Sequence, residues 1–288
     1  MSSTPLSPDS GTPAAPAAAA HAPDATAAAP DATAAPGAPA AATGANAARA
    51  AEWRDSPAAP HVPDRMRVRS YHPRRGRMTD SQHAAIERLW PAFGTRIDGS
   101  PLDLASFFGA GRPVVLEIGF GMGDATAAMA EADPDTGILA VDVHTPGHGN
   151  LLRLIAERGL DNVRLAQGDA VILLRDMLAP GTLAGLRAYF PDPWPKKRHH
   201  KRRLIQPDFV RLAVSRLAPG ALVHLATDWE PYAEQMLEVL SAEPELENVY
   251  AGADGGWAPR PQWRPMTKFE RQGLERGHVV RDLIFRRR

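Results

Sequence analysis

The stretch Val114-Val115-Leu116-Glu117-Ile118-Gly119-Phe120-Gly121-Met122-Gly123 decides the fold. Its apolar first half predicts a strand, and its three glycines predict a turn at which a ligand can approach the backbone. A helix predicted over residues 125–132 would face that ligand with its N-terminus. The sequence therefore predicts a nucleotide-like cofactor at this turn, although three glycines also occur in ordinary turns.

The spacing of the glycines indicates which cofactor is expected. They fall as G-x-G-x-G, Glu117 lies two residues before the first glycine, and Asp124 directly follows the last. A dinucleotide-binding turn has its third glycine three residues after the second, which is not the case here. The pattern favours S-adenosylmethionine over NAD and counts against a dinucleotide-dependent oxidoreductase.

Short apolar runs alternate with amphipathic segments from Pro113 onward. The apolar runs are predicted strands: 114–118, 138–143, 163–166, 186–190, 221–226 and 279–285. Helices are predicted between them: 125–132, 151–158, 170–178, 207–217 and 231–240. This alternation predicts an α/β fold with a mostly parallel sheet covered by helices on both faces.

Four acidic residues lie at or near the ends of successive predicted strands: Glu117, Asp142, Asp169 and Asp192. Because the carboxyl ends of parallel strands meet at one edge of a sheet, we expect these acids to converge on one rim. Asp142 could accept both hydroxyls of a ribose or cap a helix, and Asp169 could accept from an adenine amino group or cap the next helix.

The segment from Tyr189 to Arg203, YFPDPWPKKRHHKRR, joins a strand end to a lone carboxylate and six cationic side chains. Three prolines within five residues predict a stiff, non-helical loop that carries Asp192 and Trp194. Trp194 could stack on a base or pack under the loop. The sequence indicates a reactive site beside a polyanion-binding surface, with a solvated basic loop as the alternative.

Residues 1–60 differ from the rest of the chain in composition. They contain 25 Ala and 10 Pro, and Leu6 is the only Leu, Ile, Val or Phe among them. So little apolar surface cannot offset a chain entropy of roughly 1–2 kcal/mol per ordered residue, so we expect a disordered tail. Residues 61–112 are expected to form a basic arm followed by a helix, and residues 113–288 the α/β domain.

The basic arm carries arginines at six positions: Arg65, Arg67, Arg69, Arg74, Arg75 and Arg77. The helix after it begins at the capping-box pattern Thr79-Asp80-Ser81-Gln82 and is expected to end before Pro91. The whole chain has 33 basic and 33 acidic residues, so these clusters are local features. Two basic clusters on a nearly neutral protein indicate a targeted polyanion site.

The composition also excludes several classes of protein. The chain has no Cys, which excludes disulfides, thiolate metal sites and a cysteine nucleophile. No run approaches the ~20 apolar residues of a membrane span. His199 and His200 lack metal-ligand spacing, so base stacking or phosphate contact is favoured over metal binding, and no metal is expected. A cytoplasmic protein is the expectation.

Four motifs occur in a characteristic order: residues 117–123, 190–194 with the basic segment after them, 226–232, and 267–270. With them, the chain from about Val68 onward resembles the bacterial tRNA (guanine-N7)-methyltransferase family. The resemblance implies a Rossmann-like class I methyltransferase fold with a seven-stranded sheet. It also implies S-adenosyl-L-methionine as cofactor and methyl transfer to N7 of a guanine in the variable loop, position forty-six, of tRNA.

The resemblance further implies residue roles. The cofactor-binding residues would be Glu117, Gly119, Gly121, Gly123, Asp142, Asp169 and Asp192. The substrate-binding residues would be Lys196, Asp228, Thr267, Lys268, Phe269 and Glu270. The RNA-binding residues would be Arg198, His199, His200, Lys201, Arg202 and Arg203. From the residues alone, Asp228 is equally a helix cap, and Thr-x-x-Glu at 267–270 is equally a capping box.

Asp192 is the predicted catalytic residue. Guanine N7 is an in-plane lone pair without a proton, so the reaction needs no general base, and Asp192 is expected to orient the substrate and stabilise positive charge. Two further readings remain: a methyltransferase that acts on an exocyclic amine of a base, and a tRNA-binding protein without catalysis. We expect a monomer or homodimer without an obligate protein partner.

Overall fold

The computed structural model describes residues 70–71, 76–252 and 254–288, and only the backbone of Asp254, Lys268 and Phe269. The predicted tail over residues 1–60 lies outside the described residues. Of the arginine-rich arm, the described part contains Arg77 alone among the six arginines.

One sheet organises the described chain. It consists of β1 (Gly94–Arg96), β2 (Val114–Ile118), β3 (Gly137–Asp142), β4 (Val163–Gln167), β5 (Leu183–Tyr189), β6 (Leu217–Thr227), β7 (Leu246–Asn248) and β8 (Arg281–Arg287). The strand order is β1-β4-β3-β2-β5-β6-β8-β7. Strands β1 to β6 pair in parallel, whereas β8 runs antiparallel to β6 and β7. The strand order changes direction between β2 and β5, where such sheets bind ligands.

The helices are α1 (Asp80–Phe93), α2 (Leu104–Phe108), α3 (Asp124–Ala132), α4 (Thr145–Arg158), α5 (Ala170–Ile172), α6 (Pro207–Arg216), α7 (Glu230–Ser241) and α8 (Lys268–Glu275). Consecutive residues of β3 point into different hydrophobic clusters: Leu139 packs in one and Ala140 in the other. Both faces of the sheet are therefore covered, which confirms the predicted fold class. The described sheet has eight strands rather than seven.

The N-terminal helix confirms one prediction and corrects another. The Thr79 hydroxyl accepts from the Gln82 backbone N–H, and the Gln82 side chain accepts from the Thr79 backbone N–H, so the capping box is formed. However, α1 continues through Pro91 to Phe93 instead of ending before the proline. Buried Trp90 anchors this last turn, and its carbonyl accepts from the Gly94 N–H. Strand β1 follows at once and pairs with β4, so residues before 113 also contribute to the sheet.

Two other predicted elements begin at least four residues before their predicted start. Helix α4 begins at Thr145 rather than residue 151, with Pro146 in its first turn, where a missing N–H costs nothing. It ends, as predicted, at Gly159, which adopts a left-handed φ of 64°. Strand β6 begins at Leu217 rather than residue 221 and contains Pro219 and Gly220. A register shift in its pairing with β5 accommodates them.

Other helical turns lie next to two of the helices. A π-helical turn over Leu173–Met177 continues α5, and a 3₁₀ turn over Lys197–Arg202 precedes α6. In the ranges that the structure describes, no helix has both the length and the apolar character needed to cross a bilayer.

Candidate active site

The glycine turn after β2 is open on one side and packed on the other. Gly119, Gly121 and Gly123 have φ values of 80°, 60° and 82°, which other residues rarely adopt. A β-carbon on Gly119 or Gly121 would meet no atom within 4 Å, whereas one on Gly123 would lie 2.7 Å from Leu151 Cβ. The first two glycines therefore leave room for a ligand, and the third allows α4 to approach.

Helix α4 supports this turn from behind. A β-carbon on Gly147 would lie 1.9 Å from the Gly121 carbonyl oxygen, so only glycine fits at that helical position. Two residues later, a β-carbon on Gly149 would lie 2.7 Å from Gln82 Cβ of α1. One face of α4 thus packs against the turn, and another packs against α1.

The Asp142 carboxylate, at the end of β3, fixes the turn to its neighbouring strand. Its Oδ2 accepts from the Gly121 N–H at 2.9 Å, and its Oδ1 accepts from the N–H groups of Val143 and His144 at 2.7 and 2.9 Å. A carboxylate offers about four lone-pair positions, so one remains on Oδ2. In this arrangement Asp142 can accept one further hydrogen bond, and a contact with both hydroxyls of a ribose stays a prediction.

Glu117 brings a buried carboxyl to the same place. It is 3% exposed, and its Oε2 atom has no hydrogen-bond partner among the described residues. Burial raises the pKa of Glu117 to about 7, although Arg187, its neighbour on β5, opposes the rise. An unsatisfied buried acceptor beside two open glycines fits a polar, hydrogen-bond-donating ligand.

Asp169 caps the helix that follows β4. Its carboxylate accepts from the Val171 N–H at 2.8 Å, so the alternative of a helix cap is realised. Its predicted contact with a cofactor stays a prediction.

The loop after β5 is held in an unusual conformation. Phe190 and Trp194 have φ values of 52° and 45°, in the left-handed region that non-glycine residues seldom adopt. The Phe190 N–H donates to the Ala226 carbonyl at 2.7 Å. Trp194 is buried and packs under the loop, so of the two predicted roles it takes the packing one. Asp192 is half-buried between these two residues.

The described ends of the arginine-rich arm lie beside the same rim. The Ser70 carbonyl accepts from Trp194 Nε1 at 3.4 Å. A β-carbon on Gly76 would lie 2.8 Å from Pro146 Cγ, at the start of α4. Ser70 and Gly76 are therefore adjacent to the loops after β5 and β3, respectively.

The cationic segment divides into exposed and internal members. Lys196, Lys197, Arg198 and Lys201 are exposed. The half-buried Arg202 lies over the Trp194 ring at 4.9 Å, and His199 meets the edge of that ring at 5.9 Å. Exposed cations on one turn are suited to phosphate contacts.

Arg203 departs from its predicted RNA-binding role. It is 3% exposed, and its guanidinium donates to the carbonyls of Pro193 and Pro231 and to Gln235 Oε1. It also lies over the Tyr232 ring at 4.7 Å. Because its donors face inward, Arg203 cannot reach RNA in this conformation. It joins the Asp192 loop to α7 instead.

The last motif lies at the start of α8. Thr267 Oγ1 accepts from the Glu270 N–H at 3.0 Å, and the Glu270 carboxylate accepts from the Thr267 N–H, so the capping box is formed. Buried Glu270 also forms a two-point ion pair with Arg264. The Glu270 carboxylate is thus engaged internally, and a direct substrate contact stays a prediction. The predicted roles of Lys268 and Phe269 rest on side chains outside the described set.

A buried polar network continues from this ion pair and was not predicted from the sequence. Arg264 donates to Asp282 on β8, whose Oδ1 lies 2.8 Å from His224 Nε2 on β6. His224 Nδ1 lies 2.9 Å from the Tyr189 hydroxyl at the end of β5. The available signal was a lone histidine within the apolar run Leu222-Val223-His224-Leu225. Nothing local to Arg264 indicated that it is buried.

Asp228 does not cap the helix after β6. Helix α7 has Trp229 as its N-cap residue, with no side-chain cap. The Asp228 carboxylate instead pairs with His278 Nδ1 at 3.0 Å, and both side chains are partly exposed. Asp228 therefore lies at the rim with a partner from the segment between α8 and β8, and its contact with substrate stays a prediction. Within the described chain, no group of three or more His, Asp or Glu residues could hold a metal ion.

Comparisons with known proteins identify the family. A family profile described as "Putative methyltransferase" matches residues 111–283. The tRNA (guanine-N(7)-)-methyltransferase of Streptomyces coelicolor is 66% identical over 232 residues, which cover 80% of this chain and 84% of that protein. The chain belongs to the tRNA (guanine-N(7)-)-methyltransferase family. The family resemblance predicted from the sequence motifs is thereby confirmed.

A less similar relative bears the same name. The tRNA (guanine-N(7)-)-methyltransferase of Aromatoleum aromaticum is 57% identical over 221 residues, which cover 77% of this chain and 84% of that protein. A crystal structure of TrmN from Thermus thermophilus has a TM-score of 0.43 and 20% identity, over 64% of this chain and 47% of that one. A likeness that low carries no functional argument, so the assignment rests on the close relatives.

Proposed function

We propose that this member of the tRNA (guanine-N(7)-)-methyltransferase family transfers a methyl group from S-adenosyl-L-methionine to N7 of a guanine in tRNA. The proposal rests on two groups of residues along one rim of the sheet, the edge at which the parallel strands end. The first is the cofactor half of the rim, and the second is the substrate half. Beyond β2 and β3 lie the open glycine turn and the unsatisfied Glu117 carboxyl. Beyond β5 lies the Asp192 loop, followed at once by exposed cations.

Residues of the first half would hold the cofactor. Gly119 and Gly121 leave room beside the backbone, the Glu117 carboxyl has an unused acceptor, and Asp142 has one remaining lone pair. Bound there, S-adenosyl-L-methionine supplies an electrophilic methyl group on a sulfonium centre. These residues offer hydrogen-bond acceptors and open space, which fits a cationic, hydrogen-bond-donating nucleoside.

The chemistry asks little of the protein except orientation and charge. Guanine N7 carries an in-plane lone pair and faces the major groove in a duplex, so no proton has to be removed. Holding reactants in line can lower a barrier by ~7–11 kcal/mol. Asp192 sits on a loop fixed by Trp194 beneath it and by Arg203 bound to the Pro193 carbonyl. We assign Asp192 to orienting the substrate and to stabilising the positive charge that develops on the base.

The second half would hold the RNA. Four side chains of this half are exposed and would bind phosphates, which positions the RNA without reading its sequence: Lys196, Lys197, Arg198 and Lys201. Asp228 and the α8 N-terminus border the same half, and we assign them to substrate contacts. Selection of the variable loop would come from tRNA shape. With tRNA as substrate the enzyme would work in the cytoplasm, as a monomer or homodimer.

The deciding experiment is nucleoside mapping. Unmodified tRNA is incubated with the protein and methyl-labelled S-adenosyl-L-methionine, digested, and analysed by mass spectrometry. We expect 7-methylguanosine from the variable loop. Label on an exocyclic amine would contradict the proposal and would show a methyltransferase that acts on an exocyclic amine of a base. Binding of tRNA without label transfer would leave a binding protein and overturn the enzymatic function.

A further inference from the structure

We propose that Arg264 is a positioning residue that fixes the loop carrying Asp192 to the helix carrying Thr267, so that both act on one substrate. This inference rests on the proposed function. Arg264 lies between the motif at residues 190–194 and the motif at residues 267–270 and belongs to neither. Its contacts reach both, which is the observation that carries the proposal.

The Arg264 guanidinium is held by two carboxylates at once. It is 1% exposed, and its Nε and Nη2 atoms lie 2.8 and 2.9 Å from the Asp282 oxygens. Its Nη1 and Nη2 atoms lie 2.7 and 2.8 Å from the Glu270 oxygens. Two bidentate contacts fix both the position and the plane of a guanidinium, which a lysine ammonium cannot reproduce.

The flat face of this guanidinium supports the beginning of the Asp192 loop. It lies 5.7 Å from the centre of the Phe190 ring and 5.8 Å from that of Tyr189. Phe190 is one of two described non-glycine residues with a positive φ, a conformation that persists only where surroundings impose it. Arg264 is therefore part of what holds the chain as it turns toward Asp192.

The hydrogen bonds around Arg264 have one consistent direction. The Asp282 carboxylate accepts, so His224 Nε2 carries the proton, and Nδ1 is left to accept from the Tyr189 hydroxyl. Burial lowers the pKa of His224 and raises that of Tyr189, which keeps both in these neutral forms. The chain of contacts thus starts at the last residue of β5 and returns to the Phe190 turn through Arg264.

The other end of the chain of contacts is the first turn of α8. The Glu270 carboxylate accepts from Arg264 and from the Thr267 N–H and also pairs with Arg260 Nε at 3.2 Å. In return, Thr267 Oγ1 accepts from the Glu270 N–H. Loss of Arg264 would leave buried Glu270 with the partly exposed Arg260 in place of its two-point ion pair, and would free the N-terminus of α8 to shift. The geometry of Thr267 relative to Asp192 is what such a shift would change.

The test separates positioning from stability. Arg264→Met and Arg264→Lys are compared with the control Arg164→Met, which removes another buried arginine. Arg164 lies on β4, and its guanidinium lies over the rings of Phe93, Phe107 and Phe108. Single-turnover methylation of tRNA, cofactor affinity by calorimetry and the melting temperature are measured for each. A misplacement of about 1 Å can cost about 100-fold in rate, so we expect that loss for Arg264→Met and about 10-fold for Arg264→Lys.

Cofactor affinity should stay within about threefold in both Arg264 variants, because the glycine turn lies at the end of a different strand. The control should melt earlier yet keep its rate within about threefold at a temperature where it is folded. If Arg264→Met does not fold, Arg264→Lys and Glu270→Gln carry the test. Glu270→Gln should match Arg264→Met, and the double variant should be no slower than either.

Three results would overturn the inference: a rate for Arg264→Lys and Glu270→Gln equal to wild type, equal rate losses in Arg164→Met at matched stability, or additive losses in the double variant. None of these affects the proposed function, which depends only on whether the wild-type protein methylates tRNA at N7.

Discussion

The Gly121 carbonyl oxygen lies so close to the Gly147 α-carbon that a β-carbon at Gly147 would be 1.9 Å from it. The cofactor turn is therefore shaped by helix α4 as much as by its own glycines. Gly147→Ala should displace the turn and weaken cofactor binding by about fivefold or more, since such overpacking costs roughly 1–3 kcal/mol and about 1.4 kcal/mol is tenfold. Isothermal titration with S-adenosyl-L-methionine measures this. Gly149→Ala is the matched control, because it crowds Gln82 on another face of the same helix. Equal weakening by both variants would contradict the assignment.

Asp192→Asn tests charge at the reacting base. The substitution keeps the size of the side chain and removes its negative charge, so single-turnover methylation should fall at least about 100-fold, the size of effect seen when one electrostatic contact to a transition state is lost. Affinity for the cofactor should change much less. An unchanged chemical step would remove Asp192 from the mechanism.

Glu117 makes stability depend on pH. Its pKa is about 7 in the folded protein and 4.5 ordinarily, so folding favours its protonated form. Below pH 4.5 both states are protonated and folding is not penalised. As the pH rises from 4.5 through 7 the folded protein loses stability, by up to about 3 kcal/mol at 1.36 kcal/mol for each pKa unit, and above this range the loss is complete.

Glu117→Gln should remove this penalty. Without cofactor, the variant should melt higher than wild type at pH 8 and at nearly the same temperature at pH 5. It should also bind S-adenosyl-L-methionine less tightly at pH 8, because the anionic acceptor is gone. Thermal scans at the two pH values provide the measurement, and a difference independent of pH would refute the assignment of the raised pKa.

Arg203 and Lys201 should respond differently to salt. Four exposed cations of the loop that each neutralise a phosphate predict a slope of about −3 to −4 for log affinity against log salt. Lys201→Gln should reduce the magnitude of that slope by about 1, whereas Arg203→Met should leave it unchanged and lower the melting temperature. Fluorescence titrations of tRNA at several salt concentrations check both. A reduced slope in Arg203→Met would restore its predicted RNA contact.

The sequence was sufficient for the cofactor half of the fold. Strands β2 to β5 and the glycine turn were predictable because apolar runs and glycines are local signals. Strand β1 was not, because Gly94-Thr95-Arg96 has no apolar pattern and becomes a strand only by pairing with the edge of β4. Its structure is imposed by a tertiary contact.

In the substrate half, the Asp192 loop and its cations were predictable from the residues, and the roles of Asp228 and residues 267–270 only through the resemblance. Arg203 is indistinguishable in sequence from the cations before it, and only the 3₁₀ turn directs it inward. His224 and Asp282 are 58 residues apart, so their hydrogen bond leaves no local pattern. Arg264 likewise gains its partner Asp282 only once β8 has paired with β6.

Strand β8 inserts between β6 and β7 and supplies Asp282, the partner of both His224 and Arg264. This placement determines the order in which the parts of the site can form during synthesis. A nascent chain that has left the ribosome through β6 already contains the glycine turn, Asp142 and Asp192, yet His224 and the Phe190 turn still lack their anchor. The protein would thus acquire the means to hold its methyl donor before it can place its RNA, and activity would arise only after β8 has paired with β6.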